Sequence, residues 1–384
     1  MTNEILFQTL FNSAYERRYF SPGRINLIGE HIDYNGGYVL PAAINYGTYG
    51  YVSRRTDKFI KVYSTTFKEE GVKVIDLSAL EYQENDGYLS YIKGVIHALV
   101  GRGYIIKHGF NLLIDGNLPH ASGLSSSASL ELLIAYISND LYDLSMTRIE
   151  LALLSKAVEN DYLNLKSGIM DQFIIACGKK NQAILLDTNT LNYEHVDLSF
   201  DPYTVVVLNS NYKRKLIDNK YNQRVLECEE GLRLLNQVGQ YNNLCEVDMR
   251  TLEKNKSLFE NLTIYKRVKH VIEEQARVLK SIEALKNKDI LSFSSRLNES
   301  HESLKTNYEV SGPHLDFLIE KANLYGALGS RMTGAGFGGC AIALIKKDNF
   351  ITFRDQMKKA YREAFEFECD VFEVTFSDGV NSCD

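Results

Sequence analysis

The apolar periodicity of this chain changes character near residues 180 to 205, and that change limits the folds open to it. Before it, runs of β-branched and aromatic residues alternate with helical spacing. YGTYGYVSRR and FIKVYSTTF predict strands, YIKGVIHALVGRGY a helix ended by glycine, and FNLLIDGNL a further strand. AILLDTNTLNYEHVDL predicts two short strands around a turn, and PYTVVVLNS a buried one. From Asn222 to about Lys305 the pattern is helical, with few glycines and no proline. CAIALIKK then predicts a strand, RDQMKKAYREAF a helix and VFEVTF a last strand. With 384 residues, the expectation is an α+β chain of two packed domains, residues 1–185 and 186–384, with mixed sheets and a site between them.

Composition narrows the function. The net charge is −6 with acids and bases interspersed, so no block of like charge suggests a nucleic-acid tail or a membrane surface. The first twenty residues lack a basic start followed by an apolar core, and no apolar run nears the roughly 18 residues of a membrane span. Six cysteines are scattered without a CxxC pair, which argues against a disulfide framework or a zinc site and fits a reducing cytoplasm.

Three stretches carry chemistry. In SPGRINLIGEHIDYNGGYVLP, Arg24, Glu30, His31 and Asp33 fall within ten positions beside an apolar run. Charges in such company are paired or bind something. Donors and acceptors packed this densely suit a polyhydroxylated ligand, and the plainer reading is a solvated turn. In NLLIDGNLPHASGLSSSASLELLIAYI, strand, loop and helix follow one another, with Leu130, Leu133, Ile134 and Ile137 on one helix face. One serine suffices to cap a helix, yet Ser125, Ser126 and Ser127 stand together. Free N–H groups and the helix dipole make such a start an anion site, and serine hydroxyls ligate Mg²⁺. The chain has no GxxxxGK[ST] motif. GAGFGG, Gly334 to Gly339, satisfies GxGxxG but runs into a strand near the chain's end, so it is no dinucleotide fingerprint. In SGIMDQFIIACG, finally, Asp171 sits among apolar residues and is either a structural carboxylate or a functional one.

GRINLIGEHIDY resembles the signature of galactokinases, the sugar branch of the GHMP small-molecule kinases. LPHASGLSSSAS, GSRMTGAGFGG and GIMDQF resemble further motifs of that family in the right order. The resemblance implies a two-domain GHMP-kinase-like fold and ATP-dependent phosphorylation of D-galactose at its anomeric hydroxyl. It implies Asp171 as the catalytic carboxylate with Arg24 countering charge. Glu30, His31, Asp33, Gly168 and Tyr221 become the sugar contacts. Tyr88, Gly123, Leu124, Ser125, Ser126, Ser127, Ala128, Gly334 and Gly336 fall on the ATP side. Glu159, twelve residues before Asp171, matches a Mg²⁺ ligand, with Ser127, or else Ser126, as the other. The partners are then galactose and ATP, with no nucleic acid or membrane, in a monomer or weak homodimer.

The chain departs from the family at three places. Ala121 replaces a glycine of the phosphate loop, Tyr88 stands where a tryptophan borders adenine, and Lys213 replaces an arginine that holds the catalytic carboxylate by a forked contact. Lysine lacks the planar fork, so Arg24 or Arg214 is expected to take over that contact. Two other functions remain open. One is phosphorylation of N-acetylgalactosamine or another hexose. The other is galactose sensing without catalysis, against which stand the complete GLSSSAS loop and Asp171.

Overall fold

The computed structural model describes residues 2–119, 123–212 and 217–383. Ala121, Lys213 and Arg214 lie outside the described residues. The strands are β1 (Arg17–Asn26), β2 (Tyr38–Val39), β3 (Pro41–Arg54), β4 (Phe59–Ser64), β5 (Lys73–Asp76), β6 (Phe110–Gly116), β7 (Gln182–Asp187), β8 (Tyr193–Asp197), β9 (Tyr203–Asn209), β10 (Gly329–Thr333), β11 (Cys340–Lys346), β12 (Asp370–Val374) and β13 (Asn381–Ser382). The helices are α1 (Asn3–Phe11), α2 (Leu89–Gly101), α3 (Ser126–Leu141), α4 (Arg148–Ala157), α5 (Met170–Cys177), α6 (Ile217–Leu235), α7 (Met249–Lys254), α8 (Leu262–Lys286), α9 (Ile290–Ser303), α10 (Pro313–Leu324) and α11 (Phe350–Phe365).

Three sheets organise these elements. Six strands run in the order β13-β1-β3-β6-β4-β5, antiparallel except for β4 beside β6. A second, antiparallel sheet has the order β10-β11-β9-β12, and a third β2-β7-β8. The point between residues 185 and 186 falls inside β7, whose sheet takes strands from both halves of the chain.

The apolar pattern explains the packing. VVVLN of β9 and CAIALI of β11 are continuous apolar runs, and both are buried. Helix α3 buries Leu130, Leu133, Ile134 and Ile137 as its spacing predicts, against β1 and β3. Thr147 caps α4 in a reciprocal pairing with Glu150, and Asn261 caps α8. One irregularity matters for function. Pro22 pairs with Gly47, but the register resumes with Arg24 opposite Ala43. A bulge of this kind re-aims the side chain that follows it.

Candidate active site

Strand β1, helix α5 and the loop before α3 converge on Arg24 and Asp171. The Arg24 guanidinium grips the carboxylate with two parallel bonds, Nε to Oδ1 and Nη2 to Oδ2, both 2.7 Å. Its third arm, Nη1, donates to the Gly123 carbonyl at 2.7 Å. Arg24, one of the two arginines expected to take over from position 213, thus makes a forked contact with Asp171. A second group also holds the carboxylate: the Ser125 hydroxyl donates to Asp171 Oδ2. Ser125 stands in a left-handed conformation at the start of α3 and makes no side-chain cap bond. Expected on the phosphate side, it instead spends its hydroxyl on Asp171.

This pair floors a cleft of about 780 Å³ that also holds Glu30, His31, Asp33, Glu159, Gly168, Tyr221 and Gly334. Nearly all the acceptor-side residues singled out in the sequence are therefore brought together. Glu30 is 1 % exposed; Gly334 N–H and the Asn26 amide each donate to one of its oxygens, and Arg331 Nη2 lies 3.4 Å away. Burial raises its carboxyl, against the pull of Arg331 and Arg24. Asp33 is pushed up to about 7, by burial first and then by the neighbouring charges of Asp171 and Glu30. A Cβ at Gly168 would come within 1.7 Å of Asp33 Oδ2, so any side chain there would displace the Asp33 carboxyl.

His31 faces the cleft with its ring rather than with a free nitrogen. Its Nε2 lies 3.2 Å from the Ala335 carbonyl and so carries the proton, leaving Nδ1 to accept from Tyr34 Oη at 2.9 Å. Tyr34 continues the chain to Tyr308 at 2.8 Å. Both ring nitrogens are thus engaged with the protein, and the imidazole offers the cleft a wall packed on Tyr221, 5.6 Å between centroids. Burial lowers its pKa to about 3, so the ring is neutral.

A second cleft, about 870 Å³, lies between α2, α3 and the six-stranded sheet. Ser126, Ser127 and Tyr88 line it, with Phe67, Tyr91, Thr66 and Leu118. Tyr88 is stacked on Phe67, 4.9 Å between centroids and 4° from parallel, so Tyr88 does not stand alone in the aromatic wall. Leu124 and Ala128 are buried, and Gly336, next to the cleft-lining Ala335, lies against the Val310 carbonyl.

The two clefts meet at Ser127 and Glu159. Ser127 Oγ donates to Glu159 Oε1 at 3.3 Å, and Gln172 Nε2 donates to Oε2 at 2.8 Å. Glu159 sits in a π-turn that ends α4 and is buried, which raises its carboxyl. A hydroxyl and a carboxylate side by side form a hard-oxygen pair of the kind that takes Mg²⁺ together with phosphate oxygens and water.

Sequence reasoning missed several residues. Gln172 adjoins Asp171 in GIMDQF, and that adjacency is the signal that could have found it. Glu131, fully buried on α3 one turn beyond Ser127, is held well above the usual carboxylate range by burial and by Glu159 and Asp171. Phe67 has no motif at all.

One mixed and two antiparallel sheets around a serine-lined helix start, with a forked arginine–carboxylate pair beside it, place the chain among the GHMP small-molecule kinases. GHMP kinases N terminal domain matches residues 90–179 and GHMP kinases C terminal residues 281–363. The mevalonate kinase of Methanococcus jannaschii shares this fold at a TM-score of 0.63 and 18% identity, over 95% of this chain and 99% of that one. The galactokinase galactose-binding signature matches residues 5–54. Galactokinase of Staphylococcus carnosus is 46% identical over 97% of both chains, and that of Enterococcus faecalis 44% over 97% of both. A structure of Lactococcus lactis galactokinase complexed with galactose superposes with a TM-score of 0.96 at 43% identity, covering 99% of this chain and 98% of that one. The chain belongs to the galactokinase family.

Proposed function

We propose that the enzyme transfers the γ-phosphoryl group of ATP to the anomeric hydroxyl of D-galactose, giving α-D-galactose 1-phosphate and ADP. Beyond family membership, the observation that carries this reading is the forked Arg24–Asp171 pair set between an acceptor cleft and a serine-lined cleft. Phosphoryl transfer depends on positioning and charge stabilisation more than on covalent chemistry. In our reading the sugar occupies the cleft of Glu30, Asp33, Gly168 and Tyr221, with its 1-hydroxyl at Asp171. The 1-oxygen bonds to the γ-phosphorus as the bond from that phosphorus to the β–γ bridging oxygen breaks, and the hydroxyl proton passes to Asp171. Arg24 and Ser125 keep the carboxylate aimed, and Arg24 offsets charge on the transferring group. His31 shapes the sugar wall through its neutral ring.

We assign the nucleotide to the second cleft, its base beside Phe67 and Tyr88 and its phosphates at the N-terminus of α3. Ser127 and Glu159 fit Mg²⁺, with Ser126 the other available hydroxyl. When bound, that ion offsets phosphate charge. An equatorial 4-hydroxyl, as in glucose, would leave buried polar partners unmatched, which disfavours that sugar. We divide the chain into domains at 185/186, the halves meeting at the acceptor cleft. Among the described residues no helix is long and apolar enough to cross a membrane. Among the described residues the six cysteines form no disulfide with one another, which suits a reducing cytoplasm, where we place the enzyme as a monomer or weak homodimer.

ADP release with galactose, N-acetylgalactosamine and glucose, each at saturating ATP, tests the reading. Turnover on galactose well above the other two is expected. A preference for N-acetylgalactosamine would move the acceptor assignment, and sugar binding without ADP release would make the chain a sensor.

A further inference from the structure

Glu30 reaches the acceptor cleft from a turn of unusual backbone shape. Gly29 has φ +98° and His31 has φ +63°, so both neighbours are left-handed, and for His31 that costs energy. Such a turn persists only if its surroundings hold it. The hold comes from one face of α8, more than 230 residues further along the chain. Glu274 Oε1 accepts the N–H groups of both Gly29, at 3.0 Å, and Glu30, at 3.4 Å. One helical turn earlier, His270 Nε2 lies 3.1 Å from the Glu30 carbonyl, which only accepts, so Nε2 carries the proton. His270 Nδ1 then accepts from Ser303 Oγ at 2.9 Å, and that hydroxyl fixes the tautomer. Glu274 is itself steadied by Arg277 Nε and Ser300 Oγ, both at 2.7 Å. His270 and Glu274 are fully buried. The spacing i, i+4 is what lets one helix face grip both the N–H and the C=O of a single residue.

We infer that His270 and Glu274 are positioning residues for the sugar: they fix the backbone of Glu30 and so set where its carboxylate meets the acceptor. The inference rests on Glu30 being a sugar contact. It predicts an asymmetric effect, because the nucleotide cleft is lined entirely by residues between Gly47 and Leu130, none of them on α8. Losing the His270 donor therefore strands the Glu30 carbonyl and loosens the sugar side alone.

The test compares His270→Leu, His270→Gln and Glu30→Ala with wild type, by KM for galactose and for ATP, kcat and thermal midpoint. His270→Leu is expected to raise the galactose KM about tenfold, the scale of a stranded buried hydrogen bond, with ATP KM changed less than about twofold. Glutamine can offer an N–H where Nε2–H stood, so His270→Gln should recover most of the loss. Equal changes in both KM values, or no rescue by glutamine, overturn the inference, since a general loss of packing would behave so. If Glu30→Ala raises galactose KM and His270→Leu does not, the clamp is wrong and the sugar site stands. If Glu30→Ala has no effect, the sugar assignment of Glu30 falls and the inference with it. Should His270→Leu fail to fold, Ser303→Ala carries the test by freeing the tautomer. It should raise galactose KM about threefold at unchanged ATP KM, and no change would count against the clamp.

Discussion

Arg24 and Asp171, 147 residues apart in sequence, meet in two parallel 2.7 Å bonds that leave the carboxylate one fixed orientation. Bidentate pairs of this kind combine charge with geometry. In the proposed reaction this geometry aims the carboxylate at the proton that leaves the sugar hydroxyl as the new bond forms.

Asp171→Asn should therefore lower kcat about 10²-fold or more while galactose affinity stays within a fewfold of wild type. Arg24→Lys keeps the charge and loses the fork, so it should fall between wild type and Arg24→Ala, itself down about 10²-fold. Steady-state rates plus calorimetric sugar binding decide this. Near-normal turnover in Asp171→Asn would remove it as the proton acceptor.

Glu159→Ala deletes the buried carboxylate that faces Ser127. The Mg²⁺ concentration for half-maximal rate should rise about tenfold or more, with galactose KM little altered. Titrating Mg²⁺ against both proteins at fixed ATP gives the answer, and superimposable curves would take Glu159 out of the metal site.

Asp33 titrates near neutrality in the fold, at about 7 against 3.8 for the unperturbed group. Folding raises this carboxyl, so its contribution to stability is complete below the unfolded value and fades as pH climbs through about 7. The ligand-free Asp33→Asn variant should thus gain in thermal midpoint relative to wild type between pH 5.5 and 8, a range that spans about 7. The ionised form accepts sugar hydroxyls better, so wild-type galactose KM should drop across the same range and the variant's should stay flat. A pH-independent difference in midpoint contradicts the assignment.

The stacked pair Phe67 and Tyr88 gives the nucleotide cleft its aromatic wall. Phe67→Ala and Tyr88→Ala should each raise the ATP KM about threefold to tenfold, the worth of one stacking face, and leave galactose KM alone. If Phe67→Ala is silent, the base lies elsewhere in the cleft.

Much of this site was legible in the sequence because its chemistry is clustered locally. Arg24, Glu30 and Asp33 fall within ten positions of one another, and the serines share one helix start, so the pattern that encodes the strand or helix also displays the functional groups. What stayed hidden is held by distant partners. His270 and Glu274 sit in a helix whose spacing and charge read as ordinary amphipathic surface, and only packing reveals that their face meets Glu30. Ser125 looked like one of three equivalent serines. Its left-handed backbone goes with a hydroxyl turned to Asp171, away from the role its neighbours suggested. Phe67 follows a strand in a loop, where an aromatic residue has no periodic meaning until Tyr88 lies on it.

The linings of the two clefts draw on different stretches of chain. The second cleft is lined by residues from Gly47 to Leu130, whereas the acceptor cleft also borrows Tyr221, Asn222, Gly334 and Ala335 from the other half. Donor and acceptor preference can therefore drift separately under mutation. A library confined to those borrowed positions and to the helix behind Glu30 should explore new acceptors while the hold on ATP is inherited unchanged.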